Sequence, residues 1–178
     1  MPNFVALLRG VNVGGNTLSM ERLRALCPAL GIEKARNYVQ SGNLVFAAPG
    51  SASHWARTLE TALVGESRLA ISVIVRTAAE MAKIIAGNPF LAEAGVDLAQ
   101  LHVTFLPQAP TKAGLAALAA LKGGADRLKR RGREIYLYCP GGYGRTKLSN
   151  NAIEKALALR ATTRNWNTVN KLCAMAAE

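Results

Sequence analysis

The chain has 178 residues, enough for one domain or two small lobes that share a core, and no metal or disulfide is needed for folding. Half of the residues are hydrophobic and 19% are charged, which excludes general disorder. Lysine and arginine number 22 against 11 acidic residues, so the net charge of +11 permits an anionic partner without proving one.

Four strands and two helices are predicted in the first part of the chain. Strands are predicted over residues 4–11, which are apolar, and 71–75, which are rich in β-branched residues. Two more strands, over residues 35–39 and 43–48, are predicted as a hairpin joined at residues 40–42. The first helix begins after the cap residue Ser19, and Pro28 bends or shortens its last turn. The second helix carries Trp55 on its apolar face and ends at Gly65. The resulting order, βαββαβ, is the split unit of ferredoxin-like folds.

The second part of the chain repeats this order. A capping box at residues 77–80 begins a linking helix, which Pro89 follows. Further strands are predicted over residues 101–106, 126–131 and 133–139, and further helices over residues 113–121, 149–157 and 163–176. The sequence of this part leaves room for at most a very short fourth strand, near residues 160–162. We therefore predict an α+β fold of two ferredoxin-like lobes, residues 1–76 and 101–178, joined by residues 77–100, with a helical C-terminus on the second lobe.

The cysteines and the apolar runs indicate the cellular compartment in which the protein is expected. Three cysteines without a CxxC pair favour a reducing compartment over a disulfide framework. The chain enters its first strand without a preceding basic region, so no signal peptide is predicted, and no apolar run approaches the roughly 20 residues of a membrane helix. We expect a cytoplasmic protein with no membrane partner.

His54 and His102 belong to no triad or metal spacing, so we predict no metal site, no covalent catalysis and no cofactor.

Two glycine-containing segments of the first lobe have polar side chains at turns. Residues 10–17 have the G-x-x-x-x-G-N-T spacing of a phosphate-binding loop, but Asn16 stands where the lysine belongs. This departure favours a turn over nucleotide hydrolysis, while contact between backbone amides and an anion stays open. Ser41 follows Gln40 in the second segment, where a turn serine is favoured over a nucleophile because no base is identified.

Two segments of the second lobe place cations at predicted helix starts. The loop of residues 141–149 carries Arg145 and Lys147 and leads into a helix N-terminus, where free amides and the dipole favour anions. Residues 162–167 supply Arg164 at a second predicted helix start. Ordinary capping is the alternative for each segment, and the presence of two such segments leaves the two interpretations about equal.

A dense basic run over residues 127–133 has two interpretations. Such a run usually protects a sheet edge as a solvated face, and it can also contact a phosphate backbone. The predicted strands lack the aromatic pattern of an RNA-recognition sheet, which argues against base stacking in spite of the ferredoxin-like order.

Four motifs occur together, LLRGVNVGG at residues 7–15, YVQSGNLVF at 38–46, TKLSNN at 146–151 and TTRNWNTV at 162–169. In this order they resemble the bacterial family called domain of unknown function 1697, from about residue 3 to residue 175. The resemblance implies a compact α+β protein of two ferredoxin-like parts, and it brings no activity, substrate or catalytic residue. The positions that it selects are Arg9, Asn12, Gln40, Asn43, Lys147, Asn150, Arg164, Asn165 and Trp166.

The leading hypothesis is a binding protein for a phosphorylated or nucleic-acid ligand, with no residue assigned to catalysis. The predicted ligand-binding residues are Arg9, Asn12, Gln40, Ser41, Asn43, Arg145, Lys147, Asn150, Arg164, Asn165 and Trp166. Arginines would bind oxyanions bidentately and the amides would orient the ligand. The alternatives are an enzyme acting on a small phosphorylated metabolite through the same residues, and an interaction module whose basic face only confers solubility.

Overall fold

The computed structural model describes residues 1–11, 18–39, 42–67 and 71–178. The chain divides into two compact units, residues 1–82 with 171–178 and residues 83–170. Over the described residues, each unit holds one four-stranded antiparallel sheet with helices. The predicted α+β class with two ferredoxin-like lobes is therefore confirmed.

The first unit is built on the strand order β2-β3-β1-β4. Its strands are β1 (Asn3–Arg9), β2 (Glu33–Asn37), β3 (Asn43–Ala47) and β4 (Ser72–Thr77). Its helices are α1 (Met20–Leu26) and α2 (Ala52–Ser67). The first and third strands are neighbours and β4 lies on the other side of β1, which is the ferredoxin-like arrangement that the element order predicts.

Local signals define the helices of the first unit. The Ser19 hydroxyl accepts a hydrogen bond from the amide of Arg22 at 3.1 Å, and the chain tightens into a 3-10 turn at Pro28. The predicted end of α2 at Gly65 is wrong, because the helix continues to Ser67. A glycine costs a helix only about 1 kcal/mol, and the buried side chains of Leu59 and Leu63 hold the helix against the core.

An aromatic stack forms the centre of the first core. Phe4 of β1 and Phe46 of β3 lie opposite each other with ring centroids 5.5 Å apart, and Trp55 of α2 meets Phe46 edge-on at 5.6 Å. The indole nitrogen of Trp55 donates to the carbonyl of Pro49 at 2.8 Å, which satisfies its buried polar atom.

The second unit has the same arrangement, with strand order β6-β7-β5-β8. Its strands are β5 (Leu101–Phe105), β6 (Arg127–Arg131), β7 (Glu134–Tyr138) and β8 (Thr162–Asn165). The other α-helices of the described residues are α3 (Ala78–Ala86), α4 (Lys112–Ala119), α5 (Asn150–Leu157) and α6 (Trp166–Ala177). Ile135 and Leu137 of β7 pack with Leu118 of α4 and Ile153 of α5, so α4 and α5 cover one face of this sheet.

The fourth strand of the second unit corrects the sequence prediction. Residues 162–165 form β8 against β5, whereas a helix was predicted from residue 163 and only a very short strand near residues 160–162. β-branched Thr162 and Thr163 suit an extended backbone, and the free side of β5 supplies the hydrogen-bonding partner. The Asn165 side chain accepts from the amide of Thr168 at 2.8 Å, so α6 begins only at Trp166.

Candidate functional site

A group of polar side chains lies on the helix-covered face of the second sheet. His102 of β5 is opposite Leu137 and Asn165, and Thr104 is opposite Ile135 and Thr163. Directly opposed residues of antiparallel strands share a face, so these side chains lie on the face that α4 and α5 cover. We call His102, Thr104, Tyr143, Asn150 and Thr163 the polar cluster.

Asn150, the first residue of α5, joins two of the sequence motifs. Its Oδ1 accepts from the Thr163 hydroxyl at 2.9 Å, and its Nδ2 donates to the carbonyl of Ala161 at 3.0 Å. Because the hydroxyl hydrogen of Thr163 is used in this way, the buried hydroxyl of Thr104 donates to Thr163 at 2.7 Å. Glu154, one turn further along α5, accepts from the amide of Ala161 at 2.8 Å. The TKLSNN and TTRNWNTV motifs are therefore in direct contact.

His102 is the most buried titratable member of the polar cluster, with 9% of its surface exposed. Its ring stacks on Tyr143, with centroids 4.6 Å apart, and no described residue gives its Nδ1 a hydrogen bond of normal geometry. Burial lowers the pKa of His102 below 6.5 because it disfavours the charged form, and the nearby carbonyl of Gln100 opposes this only in part. The imidazole is therefore neutral at neutral pH.

The polar cluster supports a loop that carries two exposed cations. The Tyr143 hydroxyl accepts from the amide of Asn150 at 3.0 Å, and buried Leu148 anchors the far end of the loop in the core. Arg145 and Lys147 lie between these two anchors, and both are exposed. The amide of Ala152 is taken by the cap residue Ser149 at 3.2 Å, so the chain itself satisfies amides of this helix start. The charge available to a ligand here is that of the two side chains.

Three other predicted residues of the second unit, Arg164, Asn165 and Trp166, lie outside the polar cluster. Arg164 lies on the opposite face of β8 from Thr163, and its Nη1 donates to the Thr162 hydroxyl at 2.6 Å and to the Thr163 carbonyl at 3.0 Å. Trp166 is buried at the start of α6, and exposed Asn165 caps that helix. The structure therefore brings Asn150 to the TTRNWNTV motif and turns Arg164 away from the Asn150 contact.

Two predicted residues of the first unit can be placed. Arg9 ends β1 and is half-buried. Asn43 is fully buried at the start of β3, where its Nδ2 donates to the carbonyl of Tyr38 at 3.1 Å and closes the hairpin. The predictions for Asn12, Gln40 and Ser41, and most of the glycine-rich segment at residues 10–17, lie outside the described residues.

Residues 127–131 of the basic run form the edge strand β6, and two of its cations are partly neutralised. Glu93 accepts from Lys129 at 2.6 Å and lies 2.8 Å from Arg127, and both cations also lie over the ring of Phe90. These two hydrogen bonds lower the pKa of Glu93 because they stabilise the carboxylate. An edge strand with charged, outward side chains is the usual protection against pairing with other chains.

The described parts of the chain lack two further features, a cluster of metal-ligating side chains and a membrane-spanning helix. No group of three or more His, Cys, Asp or Glu side chains there could hold a metal ion. None of the helices there combines the length and apolar character needed to cross a bilayer. The buried thiol of Cys27 has its pKa raised to about 11, which keeps it protonated and unreactive at neutral pH.

Four members of the polar cluster were not predicted from the sequence, namely His102, Thr104, Tyr143 and Thr163. Thr163 and Tyr143 lie within the segments discussed above. Thr163 was predicted to be part of a helix, and Tyr143 was predicted to be part of a loop. For His102, the available signal was a polar residue in an otherwise apolar strand, LHVTF, which places His102 and Thr104 on one face.

The comparisons with known proteins agree with this fold. A conserved bacterial protein from Streptococcus pneumoniae has a structure that matches with a TM-score of 0.80 at 23% identity, covering 100% of this chain and 99% of that one. No curated protein matches the chain. Residues 1–136 match the family described as Protein of unknown function (DUF1697). Since this match spans well over half of its length, the chain belongs to that family.

Proposed function

We propose that this protein binds a ligand that carries a phosphate group, through the cationic loop of residues 141–149. The observation that carries the proposal is the contact between Asn150 and Thr163, which fixes the start of α5 and the end of this loop against the sheet. Arg145 would pair bidentately with phosphate oxygens and Lys147 would add a point charge.

The charge around the loop supports an anionic ligand. The sequence between Glu134 and Glu154 contains no acidic residue, and Glu154 is already bonded to the backbone of Ala161. Arg145 and Lys147 are therefore not opposed by a neighbour along the chain. A loop held by buried hydrogen bonds loses less conformational entropy on binding than a free loop, which favours affinity.

The proposed contact uses only part of the predicted set. Arg164 is left out because its Nη1 is engaged on the other face of β8. Asn150 acts as a positioning residue, since both polar atoms of its side chain are already bonded within the unit. Participation of Arg9, Asn12, Gln40, Ser41 and Asn43 stays a prediction.

The test measures binding of AMP, and of a short single-stranded DNA, to the full chain by isothermal titration calorimetry. The variant Arg145→Gln/Lys147→Gln is compared with the control Lys155→Gln/Arg160→Gln, which removes two other exposed cations of the same unit. We expect the first variant to weaken binding about tenfold or more and the control to change it less than twofold. Tight AMP binding would identify a small ligand, and binding of DNA alone would identify a nucleic acid.

Salt dependence separates a localised contact from diffuse attraction. For single strands, log K falls with log salt by about 0.7 for each phosphate neutralised, so the loop variant should lose about 1.4 of the slope. Equal losses in both variants would attribute binding to the net charge of +11 and contradict the proposal. Absence of binding for both probes would contradict it as well.

A further inference from the structure

A cavity in the first unit lies beside its edge strand β2. Its volume is about 370 Å³, which is within the usual range for sites of small molecules. Val45 and Ala47 of β3 give it an apolar wall, and Lys34 and Arg36 of β2 add two cations. Among the described residues that line it, only Glu178, which follows α6, has a side-chain carboxylate. The charged side chains of the lining are therefore two cations and one carboxylate.

The edge strand departs from regular geometry at this cavity. Glu33 pairs with Ala47 and Arg36 pairs with Val45, so three steps along β2 correspond to two steps along β3. This is a β-bulge with one extra residue, and Lys34 within it has a left-handed φ of 51° that residues with side chains rarely adopt. Residues 34–36 of this bulge line the cavity together with residues 45–47 of β3.

Arg36 is held in place by the end of α6. Its Nη2 donates to the carbonyl of Met175 at 2.6 Å, and Asn3 beside it donates to the carbonyl of Ala176 at 2.8 Å. These bonds use the last carbonyls of the helix and leave Nη1 of the guanidinium for a different acceptor. A guanidinium that is already oriented loses little freedom when it binds an oxyanion.

The acceptor on Nη1 of Arg36 is the carboxylate of Glu178. The two side chains are 43% and 60% exposed, and a solvated ion pair of this kind is weak. The hydrogen bond from Arg36 lowers the pKa of Glu178, so the carboxylate stays charged at neutral pH. The contact shows that the Arg36 guanidinium binds a carboxylate. A competing carboxylate can displace that of Glu178.

We propose that the cavity binds a small organic acid, whose carboxylate replaces that of Glu178 on Arg36. Lys34 supplies a second cation to the same anion, and the apolar part of the acid contacts Val45 and Ala47. The site uses only residues of the first unit, so it is independent of the phosphate contact proposed for residues 141–149 of the second unit.

The probe for this site is glutarate, which carries the carboxylate of a glutamate side chain on a short apolar body. Titration of the full chain is followed in ¹H–¹⁵N spectra through the side-chain signals of Arg36 and Asn3. We expect saturable binding of glutarate and none of its uncharged diamide. Glu178→Gln removes the competing carboxylate and should tighten binding about two- to fivefold, as expected for loss of a weak exposed pair.

A second variant removes a cation without disturbing the end of α6. Lys34→Gln leaves the bond from Arg36 to Met175 intact and should weaken glutarate binding about threefold or more. Arg24→Gln, which removes an exposed cation of α1, should leave the affinity unchanged. Equal affinity in the Lys34 variant or absence of binding in the Glu178 variant would overturn the proposal. Tighter binding of inorganic phosphate than of glutarate, measured through the signals of Arg36 and Asn3, would overturn it as well.

Discussion

Replacing Asn150 by alanine tests the contact on which the polar cluster depends. The change removes the hydrogen bonds to the Ala161 carbonyl at 3.0 Å and from the Thr163 hydroxyl at 2.9 Å. At about 1 kcal/mol net for each bond, the free energy of unfolding should fall by about 2 kcal/mol. Asn150 is the first residue of α5, and alanine is the best helix former, so the helix itself is not weakened.

A double-mutant cycle isolates the bond between the two motifs. Thr163→Val removes the hydroxyl that contacts both Asn150 and Thr104, and it should cost about 2 kcal/mol as well. Because each single variant already loses the shared bond, the double variant should cost about 1 kcal/mol less than the sum of the two.

Urea unfolding followed by tryptophan fluorescence measures these differences. Trp166 directly follows β8 and is buried, and Trp55 is buried in the core of the first unit, so the emission reports on both units. Asn167→Ala changes an exposed asparagine two residues after β8 and should stay within about 0.5 kcal/mol of the parent chain. If the costs of Asn150→Ala and Thr163→Val add to within about 0.3 kcal/mol, the two side chains do not share a bond and the argument fails.

Two other substitutions test local features. Ala158 ends α5 with a left-handed φ of 51°, so Ala158→Gly should raise the free energy of unfolding by about 0.5–1 kcal/mol, and an unchanged urea midpoint would refute this. The lowered pKa of Glu93 means that its contribution to stability is present above pH 4.5 and is lost as the pH falls through its folded-state pKa. Acid unfolding curves should therefore show a smaller loss for Glu93→Gln than for the parent chain, and coincident curves would show that the contacts to Arg127 and Lys129 are not maintained in solution.

The strand order was predictable because five of the first seven strands are marked by apolar or alternating runs, whereas β2 (EKARN) and β6 (RLKRR) are indicated by the glycine-containing turns that follow them. Gly132, for example, has a φ of 58° at the turn between β6 and β7, as expected for a hairpin. β8 was harder to predict because TTRN has no apolar alternation and is followed at once by a helix. Its extended conformation depends on pairing with β5, which is about 60 residues earlier in the chain, and local propensity does not contain that partner.

The composition of the candidate site was predictable, but its geometry was not. The motif residues Asn150 and Thr163 are 13 positions apart, and their contact depends on how the end of α5 returns the chain to the sheet. The left-handed Ala158 allows that return, although alanine gives no sequence signal for this conformation. His102 belongs to the polar cluster because of the strand register. That register follows from the pairing of β5 with β8, which the sequence alone does not show.

The alternation of side chains along β8 explains why one short motif serves two environments. Thr163 and Asn165 lie on the helix-covered face, where one bonds to Asn150 and the other caps α6. Thr162 and Arg164 lie on the other face and bond to each other at 2.6 Å. A shift of one residue in register would exchange the two pairs and bury a guanidinium beside His102. The register that makes Asn150 a positioning residue is therefore the same one that separates Arg164 from the cations at residues 145 and 147.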